Sequence, residues 1–463
     1  MTDAKPVLVP DDLRAAFSGR LLDADADGYD EARRLHNGLI DKRPALIAQC
    51  QSTADVIDAV TIGRDADVEI AVRGGGHGVA GRAVTNGGLM IDLSPMKGIH
   101  VDPRRRVVRA EPGLTWFGFN RATAVHGLAT TGGVVSTTGI AGLTLGGGIG
   151  WLMGKHGLTI DNLLSVEIVT AEGDVLTASE DEHPDLFWAL RGGGGNFGVV
   201  TSFEYRVHPV REVLAGPVLH PLANARAALA FHREFTASLP DELTVGAALL
   251  HAPDGSGNKV AALVPCHCGE SSVAEADVRP ARGFGTPVAD LVTSMPYPMV
   301  NTLLDGAFPR GALNYWKSGL IADLSDEAID VLVSAYERVP SAMTLIVLDH
   351  IHGAATRVAP DATAFPHRDP AFNILLLGQW TDPLDTEPTI AWVRETFEVL
   401  QPYLTGGQYT NFLSADDAGA VRQGYGDNYE RLVEVKRAYD PGNVFRLNQN
   451  VDPSGSVPID DPR

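Results

Sequence analysis

Cysteine is scarce in this chain of 463 residues, which contains only Cys50, Cys266 and Cys268. So few cysteines cannot form the disulfide framework of a small secreted protein, and a reducing cytoplasm is the expected location. Cys266 and Cys268 flank His267, a spacing too tight for the usual zinc ligands, so buried thiols in a strand are the simpler interpretation.

Long apolar runs and basic charge are also lacking. No apolar run reaches the roughly 20 residues that cross a membrane, and the first residues carry no pattern of a secretory signal. Basic residues number 37 against 58 acidic ones, which gives a net charge of −21. Nucleic acids and anionic membranes bind basic surfaces, so neither is an expected partner.

Glycine, in contrast, is abundant, with 50 residues that cluster at 74–78, 127–150 and 191–198. Closely spaced glycines let backbone N–H groups approach a phosphate without interference from Cβ atoms. The letters G-x-G-x-x-G occur at 76–81 and 193–198, but neither copy joins a strand to a helix, so a Rossmann domain is not expected. Three clusters interleaved with short strands predict loops that wrap one long ligand, and a dinucleotide such as FAD has that length.

The pattern of predicted secondary structure changes after about residue 210. Helical periodicity predicts helices at 222–238, 326–339 and 389–404, and strand candidates such as 345–352 and 372–380 lie between them. Because these strands and helices alternate without a repeated β-α-β period, they favour an antiparallel sheet covered by helices.

Several segments resemble one family of flavoproteins. Arg73-Gly74-Gly75-Gly76-His77 resembles the R-x-G-G-H signature of proteins similar to vanillyl-alcohol oxidase, in the berberine bridge enzyme-like branch. Residues 133–150 resemble the second flavin loop of that branch, and residues 185–207 and 425–451 are also close to its pattern. The resemblance covers nearly the whole chain, and the layout is similar to that of the bacterial D-type members that oxidise 6-hydroxynicotine.

The resemblance implies a two-domain α+β fold of the vanillyl-alcohol oxidase type, also called the PCMH type. The FAD-binding domain would begin with residues 1–210, as two α+β subdomains. Residues 211–405 would form a substrate domain, an antiparallel sheet covered by helices, and residues 406–463 would return to the FAD domain.

The resemblance also implies how FAD is held. His77 would carry a single covalent bond from an imidazole nitrogen to the 8α carbon of the flavin. Many members have a second bond from a cysteine, but Val135 stands at that position here. The expected cofactor contacts are Arg73, Gly74, Gly75, Gly76, His77, Gly78, Val79, Thr137, Thr138, Gly139, Gly142, Gly148, Val200, Asn411, Asn448 and Asn450.

The activity implied is that of an FAD-dependent oxidase. A C–H bond next to oxygen or nitrogen, in an alcohol, sugar or amine, would lose a hydride to flavin N5, and O₂ would accept the electrons and form hydrogen peroxide. A small-molecule substrate and O₂ are therefore the expected partners. A dehydrogenase with another electron acceptor, and a cyclase that uses the flavin only as a scaffold, are the alternatives.

The base that such a reaction needs has one candidate in the C-terminal segment. Residues 408–412 resemble the Y-x-N-[YF] segment that supplies an active-site tyrosine in this family, which makes Tyr409 the first candidate. An unperturbed tyrosine has a pKa near ~10. The role therefore requires neighbours, such as cations, that lower the pKa of Tyr409; a core tyrosine is the alternative.

The predicted strand 345–352 carries two further catalytic candidates. Strand alternation places His350 and His352 on one face and Asp349 on the other. Two imidazoles could bind hydroxyls, a phenolate or a carboxylate in the site. An H-x-H pair is also a common metal half-site, but no third ligand is evident and no metal is predicted; two partly exposed histidines without a role are the remaining alternative.

Overall fold

The computed structural model describes residue 7, residues 9–369 and residues 371–456. Short strands and helices alternate up to residue 209. The strands are β1 Arg20–Leu22, β2 Leu46–Gln49, β3 Ile70–Arg73, β4 Leu89–Asp92, β5 Ile99–Asp102, β6 Val107–Ala110, β7 Leu128–Ala129, β8 Leu163–Val169, β9 Val175–Ser179, β10 Val199–Arg206 and β11 His208–Pro209. The helices are α1 Asp11–Ala16, α2 Tyr29–Ala32, α3 Thr53–Asp65, α4 Trp116–Ala124, α5 Ile140–Leu145, α6 Met153–His156 and α7 Pro184–Leu190.

Two sheets organise this first part of the chain. One has the order β1-β2-β4-β3, in which β2 and β3 run parallel to β4. The other has the order β5-β6-β10-β8-β9 and is antiparallel throughout. Helix α3 begins where the Ser52 hydroxyl accepts the Asp55 N–H, a normal N-cap, and it packs on the first sheet through Val56 and Val60.

Longer strands and helices follow from residue 212. The strands are β12 Glu212–Ala215, β13 Val218–Pro221, β14 Leu243–His251, β15 Lys259–His267, β16 Ala289–Asp290, β17 Thr293–Pro296, β18 Leu313–Ile321, β19 Leu345–Ile351 and β20 Ala371–Trp380. The helices are α8 Ala225–Thr236, α9 Ser271–Gly283, α10 Tyr297–Val300, α11 Asp326–Glu337 and α12 Thr386–Leu400, and the chain ends with α13 Val421–Tyr425 and α14 Tyr429–Tyr439.

The later strands form a nine-stranded sheet whose main path is β16-β13-β15-β14-β19-β20-β18, and every pairing in it is antiparallel. On one face, Leu348 and Ile374 pack against Leu332 of α11 and Trp392 of α12. On the other face, Leu375 packs with residues of the first part of the chain. The sheet therefore has a helix-facing side and a side that faces the first part.

The predicted fold class is confirmed by this architecture, an α+β protein with an antiparallel sheet covered by helices. The division at residues 210 and 405 stays a prediction. Consistent with it, β11 ends at Pro209 and β12 begins at Glu212. Helix α14 contributes Leu432 and Val433 to the core of the five-stranded sheet, as a returning segment would.

Residues 36–38 fasten the two parts to each other. The Asn37 side chain donates to the carbonyls of Val79 and Asn314, both at 2.9 Å, and accepts the Asn314 N–H at 2.9 Å. The Gly38 N–H donates to the Ala312 carbonyl at 2.8 Å. A buried amide that bonds to both sides fixes their relative position.

Membrane crossing was tested on the described residues alone, and none of the helices there combines the length and apolarity that a bilayer span requires.

Candidate functional site

A cavity of about 240 Å³ lies where the glycine loops meet the C-terminal segment. It is lined by residues from the loops at 74–83, 141–145 and 194–200 and from the C-terminal stretches 410–413 and 445–449. The predicted cofactor contacts that line it are Gly74, Gly78, Val79, Gly142, Val200, Asn411 and Asn448. Segments far apart in sequence thus build one site, as the three glycine clusters predicted.

The first two glycine loops touch each other through their backbones. A Cβ atom on Gly139 would lie 2.6 Å from the Cα atom of Gly75, a distance that real Cβ atoms do not reach. Glycine is therefore required at both positions, because any side chain would push the loops apart. Gly75 and Gly139 shape the cavity although neither lines it.

The third glycine loop is joined to the C-terminal segment. Asn196 donates to the carbonyls of Gly193 (2.7 Å) and Gln449 (3.0 Å) and accepts the Val451 N–H at 2.9 Å. Asn448 donates to the Gly195 carbonyl at 3.1 Å. These bonds hold residues 448–451 against the loop.

Lys436 of α14 also stabilises the C-terminal segment and the third glycine loop. Its ammonium group is completely buried and bonds to Asp440 (2.6 Å) and to the carbonyls of Asn196 (2.7 Å) and Phe445 (3.0 Å). A buried charge needs such partners, so Lys436 ties α14 to both walls of the cavity.

The residues around the cavity fit a dinucleotide. Arg82 Nε, Asn448 Oδ1 and Gln449 Oε1 are buried and lack hydrogen-bond partners within the described residues. Cβ atoms added to Gly78, Gly142 or Gly195 would meet nothing within 4 Å. Unpartnered polar atoms beside open space over glycine backbone suit a polar ligand that contains phosphate.

Several predicted contacts do not line this cavity. Arg73 is buried and paired with Asp92, with its Nε 2.9 Å from Asp92 Oδ1, so it supports the start of the loop, and its contact with the cofactor stays a prediction. Gly76 forms a turn with φ of +66°, and the Thr138 carbonyl accepts the Trp116 N–H at 2.9 Å. Gly76, Thr138, Gly139, Gly148 and Asn450 line neither this cavity nor a second cavity of about 630 Å³ next to the loop. The second cavity is lined by Arg73, Gly75, His77 and Thr137.

His77 is half-buried beside the second loop, with Nε2 3.4 Å from Thr137 Oγ1. Burial, reinforced by the neighbouring His36, lowers the pKa of His77 to about 3. The ring is therefore neutral near pH 7, and one nitrogen lone pair is available to form a bond. Val135 is 6% exposed and packs with Val79, and no thiol replaces it there because all three cysteines are buried in other clusters.

Tyr409 is buried in a cluster that contains Leu320 and Ile351 of the nine-stranded sheet. Its hydroxyl oxygen accepts hydrogen bonds from Asn411 Nδ2 (2.8 Å), the Gly148 N–H (2.9 Å) and the Ile149 N–H (3.4 Å). Burial raises the pKa of Tyr409, these donors oppose the rise, and the Asp349 carboxylate adds to it. The expectation that cations lower this pKa is wrong, because the nearby charge is negative.

Asp349 is the functional candidate that sequence reasoning missed. It lies on β19 opposite Asn373 of β20, whose Nδ2 donates to its carboxylate at 3.1 Å. Burial raises the pKa of Asp349 to about 6, and the Asn373 bond lowers it only in part. Ser318 Oγ and Asn373 Oδ1 are buried without partners in the described residues. The alternation of strand 345–352 had already placed Asp349 on the face opposite the two histidines.

The catalytic assignment of His350 and His352 is corrected. The His350 ring packs on Phe372, with ring centroids 4.9 Å apart, on the helix-facing side of the sheet. His352 lies near Asp241 and Gly154, outside the cavity. Both point away from Asp349 because successive residues of a strand alternate faces. Over the described ranges no three potential ligands come together in a metal-binding group.

Comparison with known proteins agrees with this site. The sequence model for an FAD binding domain matches residues 44–179, and the model described as berberine and berberine like matches residues 408–452. These ranges contain the first two glycine loops and the Tyr409 segment.

The relatives extend over nearly the full length. The (R)-6-hydroxynicotine oxidase of Paenarthrobacter nicotinovorans is 34% identical, over 95% of this chain and 98% of its own. The glucooligosaccharide oxidase of Sarocladium strictum is 30% identical, over 95% and 93%. The crystal structure of 6-hydroxy-D-nicotine oxidase from Arthrobacter nicotinovorans superposes with a TM-score of 0.86 at 30% identity, over 94% and 98% of the two chains. With this coverage and a matching site, the chain belongs to the berberine bridge enzyme-like family and is an FAD-dependent oxidase.

Proposed function

We propose that this enzyme oxidises a C–H bond next to oxygen or nitrogen in a small metabolite, with O₂ as the electron acceptor and hydrogen peroxide as a product. FAD, when bound, supplies the two-electron acceptor for the hydride at its N5 atom. The protein has to bind the substrate over that atom, exclude water and remove the O–H or N–H proton. The substrate is an alcohol, sugar or amine.

The observation that carries this proposal is the half-buried carboxylate of Asp349 near Tyr409. A base works best when its pKa lies near the working pH, and the pKa of Asp349 is raised by burial to about 6. Its ionised form can take the substrate proton as the hydride leaves. We therefore assign the base to Asp349.

Tyr409 supports the same step. The bonds from Asn411 and the Gly148 N–H fill the two acceptor positions of its hydroxyl oxygen, so its own O–H proton points elsewhere, toward a substrate oxygen or nitrogen. The same donors would stabilise a phenolate, in the manner of an oxyanion hole. Tyr409 is therefore the second candidate for the base.

The apolar part of a substrate has a matching surface. Trp316 and Leu375 lie on the inner face of the sheet, and Phe412 meets Trp316 edge to face with centroids 6.0 Å apart. Unpartnered Ser318 Oγ and Asn373 Oδ1 provide hydrogen-bonding sites nearby in the sheet. A substrate with a polar reacting end and an apolar body suits this surface.

The reaction is tested by mixing the oxidised enzyme anaerobically with sugars, benzylic alcohols and cyclic amines. We expect one class to bleach the flavin absorbance, and air to restore it with one hydrogen peroxide per turnover. A reduced enzyme that stays bleached in air would favour the dehydrogenase alternative. If none of the compounds bleaches the flavin, a scaffold role becomes the better description.

We also propose that His77 carries the flavin through a single covalent bond to its 8α carbon. Its neutral ring and the valine at the second attachment position support this assignment. We expect acid precipitation of the wild type to leave the yellow colour in the pellet, whereas His77→Ala should release all flavin into the supernatant. Substitution of the exposed His126 by alanine is the control and should leave the colour in the pellet.

A further inference from the structure

His77 does not stand alone beside the second glycine loop, because the ring of His36 is stacked on it. The ring centroids are 3.9 Å apart and the planes differ by 21°. His36 is only 7% exposed. The backbone N–H of His36 donates to the Gly76 carbonyl at 3.0 Å, and the backbone carbonyl of His36 accepts the Gly311 N–H at 2.9 Å. The His36 backbone is thus tied to the residue that precedes His77 and to the other part of the chain.

The stack limits what the His77 ring can do. One face of that ring is covered by His36, and Nε2 lies 3.4 Å from Thr137 Oγ1. His36 Nε2 is buried and has no hydrogen-bond partner among the described residues. The contribution of His36 therefore comes from ring packing rather than from a hydrogen bond.

We propose that His36 is a positioning residue for flavin attachment: its ring restricts the rotation of His77 and so speeds formation of the bond between His77 and the 8α carbon. This inference rests on the proposed covalent link. Holding a nucleophile in a reactive orientation converts rotational freedom into rate. Protonation of His77 would remove the lone pair, and a second imidazole at stacking distance opposes that protonation.

Attachment is a two-electron oxidation of the flavin methyl group. One C–H bond of the flavin methyl group is replaced by a C–N bond to His77. Two protons leave, one from the methyl group and one from the other imidazole nitrogen. The electron pair passes to the flavin ring system and then to O₂, which takes up the two protons and becomes hydrogen peroxide. O₂ is also the oxidant of the proposed reaction.

His36 can be substituted without loss of the side-chain hydrogen bonds made by the neighbouring Asn37. Asn37, not His36, supplies the side-chain bonds that fasten Val79 to Asn314. His36→Ala removes the stacked ring and leaves those bonds in place. His36→Phe keeps a flat ring for stacking but has no imidazole.

The test uses the full-length chain prepared without flavin, mixed with saturating FAD in aerated buffer. Samples are acid-precipitated over time, and the flavin in each pellet is measured. We expect His36→Ala to slow covalent incorporation by about tenfold or more, and His36→Phe to remain within about threefold of wild type. Affinity for FAD before attachment and the thermal midpoint of the flavin-free chain are measured for every variant.

A matched control is present in the same molecule. His156 and His208 form a second stacked pair, with centroids 3.8 Å apart and planes at 9°, away from both cavities. His208→Ala removes an equivalent stack and should leave the rate of incorporation unchanged.

Each failure has its own signature. If the wild type never retains flavin in the pellet, the covalent link itself is refuted and the inference falls with it. If the wild type retains flavin and His36→Ala does so equally fast, the link stands and the role of His36 is refuted. A loss in both His36→Ala and His36→Phe, or a parallel loss of FAD affinity and thermal stability, would show a structural role instead.

Discussion

Substitution of Asp349 by asparagine is expected to lower kcat/KM by about 10²- to 10⁴-fold, the usual effect of removing a general base. The amide keeps the shape of the side chain and its bond partner Asn373, but it cannot accept a proton. Flavin content and its absorbance spectrum should stay those of the wild type, since Asp349 lies on the nine-stranded sheet and not in the flavin cavity.

The pH dependence of kcat/KM gives a second readout. The carboxylate must be ionised to act, so kcat/KM should rise with pH and reach half of its plateau near the Asp349 pKa of about 6. Asp349→Asn should lack this rise. If Tyr409 is the base instead, kcat/KM will rise only in alkaline solution, because the pKa of Tyr409 is raised, and that rise will persist in Asp349→Asn and disappear in Tyr409→Phe.

Asp241→Asn is the matched control for these measurements. Asp241 carries an exposed carboxylate that is paired with Arg357. Its kcat/KM should stay within about twofold of wild type, as for most surface changes. A kcat/KM for Asp349→Asn within a few-fold of wild type would remove Asp349 from the mechanism.

The second large effect concerns stability below neutral pH. Burial lowers the pKa of His156 and His350 to about 3 and that of His208, His232 and His352 to about 4. In the unfolded chain these groups return to about 6.5. Between these values the unfolded state binds protons that the folded state does not, so acid favours unfolding.

We therefore expect the free energy of unfolding to fall as the pH drops from about 6.5 to about 4. Each histidine contributes a slope of at most about 1.4 kcal/mol per pH unit. Asp349, Asp58 and Asp417 act in the opposite direction because their pKa values are raised, but the lowered pKa values of His36 and His77 add to the effect of the five histidines. The loss from several such histidines, added over two or three pH units, exceeds the usual free energy of unfolding of about 5–15 kcal/mol.

Urea unfolding at a series of pH values checks this. His350→Leu removes one buried imidazole whose Nδ1 has no partner in the described structure, and it should flatten the slope by about 1.4 kcal/mol per pH unit. The comparison at pH 8, where the imidazole is neutral in both states, isolates the pH-independent effect of the substitution. An unchanged slope would mean that His350 is protonated in the folded protein.

The flavin loops were predictable because glycine spacing is a local signal. Gly74, Gly78 and Gly142, which were predicted to contact the cofactor, line the cavity. The contact between Gly75 and Gly139 depends on a tertiary approach of two loops. The glycine clusters were visible in the sequence. The sequence could not tell which glycines line the cavity and which contact the backbone of another loop.

The catalytic residues were harder to predict. Alternation correctly divided strand 345–352 into two faces, but it could not say which face α11 and α12 would cover. The helices cover the face with Leu348 and His350, which leaves Asp349 on the other side. Likewise, the Tyr409 segment was recognisable, whereas the donors at Gly148 and Ile149 come from a loop about 260 residues away.

The composition of the cavity wall has a consequence for biosynthesis. The wall begins with Ile70 and is closed by Asn448 and Gln449, so a nascent chain on the ribosome lacks the last side of the cavity until these residues have been synthesised. Capture of the cofactor should therefore require synthesis through residue 449. A premature stop anywhere before residue 448 should give a colourless product, even if every upstream segment has already folded.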